Sequence, residues 1–211
     1  MILAVDAAST DVSVAIAGAN GSTIDEAAWT TQQRQSAELL PRLLELMEGN
    51  GRSLADVSAV ATGTGPGSFT GLRVAMALAK GLAVSLACPL VGVPSLSAWL
   101  DAEPDAAAAL ARAGAREAYL LARDAERPAI VQHDELPPQL RDAVVVAPAE
   151  LAEALGLSAA RRPRGAGAIA ARAAARLAAD PAGDDLRRLE PIYLRAPRGV
   201  SVEPEGTVKW L

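Results

Sequence analysis

The sequence is poor in aromatic residues, cysteine and histidine. Its 211 residues include one Phe, two Tyr, three Trp, one Cys and one His, although 51% of them are hydrophobic. A core of this composition must be built mostly from Ala, Val and Leu. The lone cysteine, Cys88, excludes an internal disulfide and a zinc site made of cysteines. We expect it to be a buried, inert thiol, because the only histidine, His133, lies in the other half of the chain.

Excess basic charge is also absent. The formal net charge is −5, from 20 basic and 25 acidic residues. Proteins that hold RNA or DNA by themselves usually carry a basic patch or stripe. Here the arginines are scattered, with small clusters at residues 161–164 and 187–188. We therefore expect no binding of nucleic acid by the chain alone.

No segment has the pattern of a signal peptide or a membrane span. The start, MILAVDAAS, lacks a basic segment followed by a long apolar run. The longest apolar helix follows Ser68, and Arg73 and Lys80 interrupt it. We expect a soluble, cytoplasmic protein.

The first half of the chain predicts a mixed sheet covered by helices. Short apolar runs bounded by turn residues predict strands at 2–8, 11–17 and 23–30. A helix (SAELLPRLLELM), a strand (VSAVATG), a second helix after Ser68 and a further strand (PLVGV) follow. The order β-β-β-α-β-α-β is that of the ribonuclease-H-like fold found in each lobe of actin-like proteins. The predicted class is therefore α/β with mixed sheets.

The second half predicts a smaller lobe. The alanine-rich stretch 101–116 suggests a boundary or a peripheral helix, and three short strands and two helices (PAELAEALG and GAIAARAAARLAAD) follow it. This half is too short to repeat the first in full. We expect an N-terminal lobe at 1–103 and a truncated C-terminal lobe at 104–211.

The stretch GTGPGSFTGLRVAMALAKGL, residues 63–82, begins like a phosphate-binding loop. Glycine-rich loops that lead into a helix bind phosphate through free amides and the helix dipole. The P-loop pattern, however, requires Lys and then Ser or Thr after its last glycine, whereas Leu72 follows Gly71. The dinucleotide-binding spacing also fails. These glycines are therefore a weak phosphate signal.

The same helix carries small residues at every fourth position, namely Gly71, Ala75, Ala79 and Ala83. Such a stripe allows another helix to approach closely. The remaining faces are apolar too, so the helix must be covered on nearly all sides. Two interpretations stay open: a core helix only, or a core helix that also forms a protein interface, which we favour. The candidate interface residues are Leu39, Leu43, Leu46, Phe69, Gly71, Leu72, Ala75, Met76 and Ala79.

Several segments resemble one known family. GTGPGSFTGLRVAMALAKGLA with PLVGVPSL, the start ILAVDAASTDVSVAI, the helix SAELLPRLLELM and the segment LEPIYLRAP are similar to the TsaB (YeaZ) family. The resemblance is dense over residues 1–100, thin over 105–180, and returns at 189–197. One departure is Gln35, where such sequences often have His.

The resemblance implies an actin-like, two-lobed protein without catalytic activity of its own. Members pair with TsaD, which transfers a threonylcarbamoyl group to the adenosine beside the tRNA anticodon, and the ATPase TsaE completes the bacterial assembly. tRNA would then be bound only through the complex, ATP or ADP would belong to the assembled complex, and the chain alone would be able to form a homodimer. The metal-binding histidine pair of TsaD is absent, since His133 is alone.

The residues themselves favour a degenerate nucleotide cleft. Actin-like ATPases carry an acid and glycine in the first hairpin for metal and phosphate, whereas here Ala7 and Ala8 follow Asp6. Residual nucleotide contact is expected only at Asp6, Ser68, Thr70 and Arg73, and no catalytic or metal-binding residue is expected.

Two other classes stay open beside the partner-subunit hypothesis. One is an enzyme acting alone, either an actin-like ATPase or kinase, or a peptidase using Ser68 or Cys88 with His133. The other is a homodimeric scaffold.

Overall fold

The computed structural model describes residues 1–32, 34–194, 200–202 and 208–210. Within these residues the chain forms two five-stranded mixed sheets, five α-helices and a two-stranded ribbon. The expected α/β class with mixed sheets is therefore confirmed.

The first sheet has the strand order β3-β2-β1-β4-β5. Its strands are β1 (Ile2–Asp6), β2 (Asp11–Ala17), β3 (Thr23–Thr30), β4 (Ala59–Gly63) and β5 (Leu90–Val93). β1 pairs antiparallel with β2 and parallel with β4. Every residue of β1, β2 and β4 is buried, because helices cover both faces of the sheet.

Two helices cover one face of this sheet. They are α1 (Gln35–Gly49) and α2 (Phe69–Leu86), which also pack against each other. α2 begins where the Ser68 hydroxyl accepts a hydrogen bond from the Gly71 amide. It ends at Ala87, whose φ of 49° lies in the left-handed region. Leu39, Leu43 and Met47 of α1 meet Ala75 and Ala79 of α2 in the core on this face.

The second sheet repeats the topology of the first, with the order β10-β9-β6-β7-β8. Its strands are β6 (Ala108–Arg112), β7 (Glu117–Ala122), β8 (Ala129–Gln132), β9 (Val144–Val146) and β10 (Ala159–Arg161). α4 (Ala149–Leu155) joins β9 to β10, and short 3₁₀ turns stand where the first half has α1. This lobe is thus reduced in its helices, and the expectation of only three strands was wrong.

The alanine-rich segment needs a specific correction. We expected a boundary or a peripheral helix there, but residues 108–112 form the central strand β6. Ala108, Ala109, Leu110 and Ala111 are all 0% exposed, because the strand is covered on both faces. Alanine is a strong helix former, and burial within a sheet overrides that preference.

The two halves exchange helices. α3 (Ser95–Ala102) follows the first sheet but packs on β6, whereas α5 (Ala166–Ala179) follows the second sheet and packs across β1 and β2. Both helices therefore lie between the sheets. The lobe boundary at residue 103 stays a prediction. The last elements, β11 (Val200–Val202) and β12 (Val208–Trp210), pair antiparallel.

Candidate functional site

Asp6 lies at the carboxyl end of β1, where the two exchanged helices meet. Its side chain is buried, and donors from this chain bind both of its oxygens. Oδ1 accepts a hydrogen bond from the Ser95 hydroxyl at 2.8 Å and a longer one from the Ala8 amide at 3.3 Å. Oδ2 accepts one from the Trp99 indole N–H at 2.6 Å. The carboxylate thereby joins the first hairpin to α3.

Burial raises the pKa of Asp6 above its ordinary value of 3.8, and the hydrogen bonds from Trp99, Ser95 and Ala8 act in the opposite direction. The carboxylate is enclosed by the chain itself, and Asp6 is 2% exposed. A Cβ atom on Gly63 would lie 2.1 Å from Asp6 Oδ1, so even a methyl group would not fit there. Asp6 therefore does not fit the role of a metal or phosphate ligand. It fits a structural role.

The glycine-rich loop packs directly on the first hairpin. A Cβ atom on Gly67 would lie 2.0 Å from the carbonyl oxygen of Ala8, so this contact requires glycine. The amide of Ser68 donates to that same oxygen at 2.7 Å. The Gly65 amide donates to the Ser95 hydroxyl at 3.1 Å. Amides that would bind a phosphate in a P-loop are thus used within the chain.

An apolar cluster fills the space between the sheets. Leu72 of α2 and Leu96 and Trp99 of α3 pack there against Leu121 and Val146 of the second sheet. Trp99 is 0% exposed. Of the four expected nucleotide contacts, Asp6 is buried and Ser68 is half-buried as the N-cap of α2, whereas Thr70 and Arg73 are exposed.

Arg73 belongs to a small surface cluster at the start of α2. Its guanidinium carbon lies 3.9 Å from the centroid of the Phe69 ring, and its Nε donates to the Tyr193 hydroxyl at 3.2 Å. The Ile192 amide donates to the Thr64 carbonyl at 2.7 Å. The segment LEPIYL, noted in the sequence, therefore fastens the glycine-rich loop and the start of α2. Residues 195–197 of the same motif lie outside the described residues.

The expected interface stripe faces inward, which corrects the assignment. Most of the candidate residues are buried, and those with side chains are at most 4% exposed. The reason is that α1 and α2 turn them toward the chain's own first sheet and toward the apolar cluster between the sheets. The buried candidates are Leu39, Leu43, Gly71, Leu72, Ala75, Met76 and Ala79. Leu46 is partly buried, and Phe69 is 38% exposed. A stripe of small residues fits a sheet as well as a helix, and here it meets the sheet.

The outward face of α2 nevertheless carries exposed apolar residues between Arg73 and Ser85, which are also exposed. Ala77, Gly81 and Val84 are exposed, Val84 to 68%. α1 adds two exposed leucines, Leu40 and Leu44, at 37% and 39%. By length and hydropathy α2 would be able to cross a membrane, but one third of it is buried against the rest of the chain. The outer face of α2 is therefore a candidate contact surface.

The residues proposed for a peptidase do not form a catalytic pair. Ser68 is the N-cap of α2, and burial raises the pKa of the Cys88 thiol. The Nε2 atom of His133 is buried and has no hydrogen-bond partner among the described residues. Across all the residues that the structure describes, no three His, Cys, Asp or Glu side chains form a group that would hold a metal ion.

Ser95, Trp99 and Tyr193 are not among the site residues predicted from the sequence. Trp99 carried a usable signal, since it is one of only three tryptophans and follows a predicted strand by a few residues. Ser95 and Tyr193 lie in the segments PLVGVPSL and LEPIYLRAP, but nothing in those segments indicates their partners, which are Asp6 for Ser95 and Arg73 for Tyr193.

The chain is similar in sequence to proteins named for tRNA threonylcarbamoyladenosine biosynthesis and for threonylcarbamoyl transfer. The family model of TsaD, tRNA N6-adenosine threonylcarbamoyltransferase, matches residues 29–181. The tRNA threonylcarbamoyladenosine biosynthesis protein TsaB of Escherichia coli is 37% identical over 95 residues, which are 45% of this chain and 40% of that protein. A tRNA N6-adenosine threonylcarbamoyltransferase of Solidesulfovibrio magneticus is 48% identical over 60 residues, which are 28% of this chain and 16% of that protein. The matched segments thus span less than half of these relatives.

Among solved structures, YeaZ from Pseudomonas aeruginosa shares the fold. It superposes with a TM-score of 0.67 at 23% identity, covering 92% of this chain and 99% of that one. The agreement in fold thus extends well beyond the segment that is similar in sequence.

Proposed function

The chain belongs to the TsaD family and, within it, to the TsaB (YeaZ) proteins, and from that premise we propose that it is a non-catalytic partner subunit of TsaD. In this role it binds and supports TsaD while TsaD transfers a threonylcarbamoyl group to the adenosine beside the anticodon of tRNA. The names of its relatives, a threonylcarbamoyladenosine biosynthesis protein and a threonylcarbamoyltransferase, support this pathway.

The state of Asp6 carries the non-catalytic part of the proposal. A kinase or ATPase of this fold needs an acid that is open to metal and nucleotide. Here Trp99 and Ser95 bind the two oxygens of Asp6, and an apolar cluster occupies the cleft. The chain's own residues therefore occupy the place where an enzyme of this fold would bind substrate. There they stabilise the arrangement of the lobes.

The outer face of α2 supports the partner part. Ala77, Gly81 and Val84 would be covered when a helix of TsaD packs against them, and the exposed leucines of α1 extend the apolar area. The small residues let two helices approach closely. The inward stripe contributes indirectly, by holding α2 on its sheet.

The remaining components follow from this role. TsaE completes the assembly, ATP or ADP binds in the complex, and tRNA is reached only through the complex, since the chain has a net charge of −5. We place the assembly in the cytoplasm. A homodimer of the free chain would use the same apolar face, in competition with TsaD.

The cellular test is nucleoside mass spectrometry of tRNA from a strain depleted of this protein. We expect threonylcarbamoyladenosine to be lost, and to return when the unaltered gene is supplied. An unchanged level of the nucleoside would place the protein in another pathway.

The biochemical test addresses the alternative of an enzyme acting alone. The purified chain should show no ATP hydrolysis or peptide cleavage near 1 per second, which is roughly the low end for enzymes. Turnover at that rate would overturn the proposal if it disappears in an Asp6→Ala variant that circular dichroism shows to be folded, and persists in the matched exposed variant Asp124→Ala.

A further inference from the structure

The first sheet has an open edge at β3. This eight-residue strand pairs with β2 and with no other strand in the described part of the chain. The free edge of a strand presents unpaired N–H and C=O groups to which another strand can pair.

The directions of these groups follow from the register. The Thr31 amide donates to the Thr10 carbonyl at 2.8 Å, next to the opposed pair of Asp11 and Thr30. Bonded and non-bonded pairs alternate in an antiparallel ladder. The backbone groups of Thr30, Ala28 and Glu26 therefore point away from β2.

One end of this edge is already closed. The Glu26 amide donates a hydrogen bond to Asp25 Oδ1 at 2.8 Å, and Asp25 Oδ2 accepts a hydrogen bond from the Asn50 side chain. The open stretch therefore runs from Ala28 to Thr30. It has room for a short segment of another chain.

A cavity of about 400 Å³ adjoins the open stretch. Its lining includes the acids Asp11 and Glu26 and the edge residue Ala28, together with Arg162, Pro163 and Arg164. Arg162 binds the Thr30 hydroxyl at 2.9 Å and lies 3.6 Å from Asp11 Oδ1. Arg164 is exposed and makes no hydrogen bond or ion pair with the residues that the structure describes.

The cavity also contains an unsatisfied acceptor. Asp11 lines it and is 6% exposed, and its Oδ2 atom has no hydrogen-bond partner among the described residues. Buried polar atoms are normally paired. An occupant of this cavity should therefore bring an N–H or O–H donor as well as a group that pairs with arginine.

We propose that the open edge of β3 and the adjoining cavity bind an extended, acidic segment of a partner protein by strand addition. The segment's main chain pairs with Ala28 and Thr30, a carboxylate binds Arg164, and a side-chain donor reaches Asp11. The segment's carboxylate lies at Arg164 and away from Asp25 and Glu26, which repel it. Glu26 lines the same cavity but already accepts a hydrogen bond from the Gly167 amide. This surface is separate from the outer face of α2.

The test uses a fluorescent synthetic peptide with valine at every second position. The positions between the valines hold one threonine and two glutamates. We expect it to bind the full chain, with affinity falling about tenfold or more in Arg164→Glu. Arg127→Glu, an exposed charge reversal in the loop between β7 and β8, should bind it unchanged. The same peptide with lysines in place of the glutamates should not bind.

Amide hydrogen exchange locates the contact. The Ala28 amide should exchange fast in the free chain and become protected by the peptide, whereas the Ala27 amide, paired with β2, is protected in both states. Arg164→Glu should keep the thermal stability and the TsaD binding of the unaltered chain, which separates this proposal from the proposed function. Absence of peptide binding, equal binding by Arg164→Glu, or protection that spares Ala28 would overturn it.

Discussion

At the scale of single residues, Asp6 joins parts of the chain that are far apart in sequence. Its carboxylate accepts hydrogen bonds from the first hairpin at Ala8 and from α3 at Ser95 and Trp99. A Cβ atom on Gly165, at the start of α5, would lie 2.6 Å from the Trp99 ring. One acid therefore fixes the junction where the exchanged helices pass each other.

Replacing Asp6 should destabilise the fold. In Asp6→Ala the Trp99 indole N–H and the Ser95 hydroxyl lose a buried acceptor, and we expect a loss of about 2–4 kcal/mol in the free energy of unfolding. Urea denaturation followed by circular dichroism measures it. Asp124→Ala, which removes an exposed acid, should change stability by no more than about 0.5 kcal/mol. Equal stability of both variants would contradict the structural role of Asp6.

A second acid, Asp184, should make stability depend on pH in the acid range. Burial acts to raise its pKa, but hydrogen bonds from Arg176 and from the Gly92 amide outweigh it, so the pKa lies below 3.8. Because the folded value is the lower one, ionised Asp184 stabilises the fold above pH 3.8. That contribution is lost as the pH falls through the folded value.

The variant Asp184→Asn tests this dependence. Its stability should fall below that of the unaltered chain at pH 7, and the difference should shrink as the pH approaches 3. Urea midpoints at both pH values give the comparison. A difference independent of pH would show that the Asp184 charge does not contribute.

At the scale of elements, α2 has two apolar faces with different tasks. Ala75 and Ala79 face the sheet, and Ala77, Gly81 and Val84 face outward. The sequence predicted the helix well, because Ser68 marks its start and its apolar pattern is long. It did not predict which face meets the sheet, since small residues occur on both faces and only two charged residues, Arg73 and Lys80, mark the outer one.

Two arginine substitutions on α2 should separate these tasks. Val84→Arg should leave the fold intact, because the side chain points into solvent, and should prevent co-elution with TsaD. Ala79→Arg should unfold the lobe, because overpacking alone costs about 1–3 kcal/mol and the buried charge adds to it. Size-exclusion chromatography with TsaD and circular dichroism measure the two effects.

Ala102→Arg, on the exposed end of α3, is the matched control and should affect neither property. If Val84→Arg still co-elutes with TsaD, this face of α2 is not the interface, and Leu40 and Leu44 of α1 become the surface to test.

At the scale of the whole molecule, local patterns predicted the first sheet and missed much of the second. Strands β1 to β5 follow from apolar runs bounded by turn residues. β6 was missed because its alanines favour a helix when considered locally, and only burial within the sheet decides otherwise. The site at Asp6 was beyond local patterns, since its partners lie about ninety positions away.

The exchanged helix α5 sets a requirement for folding. Its residues Ala166, Ile169, Ala170 and Ala173 pack on one face of the first sheet. A fragment of residues 1–103 would leave this face exposed, so we expect it to aggregate or to elute as a large oligomer in gel filtration. The full chain should elute as a compact species. A monomeric fragment with a cooperative thermal transition would contradict this expectation.

The same exchange has a consequence during protein synthesis. The ribosome completes the last strand of the first sheet at Val93 but does not finish α5 until Ala179. At about 5–20 residues per second this is a delay of roughly 4–17 s, in which the alanine- and valine-rich face of the nascent sheet stays uncovered. The nascent chain is therefore a candidate client of ribosome-associated chaperones until translation has passed α5.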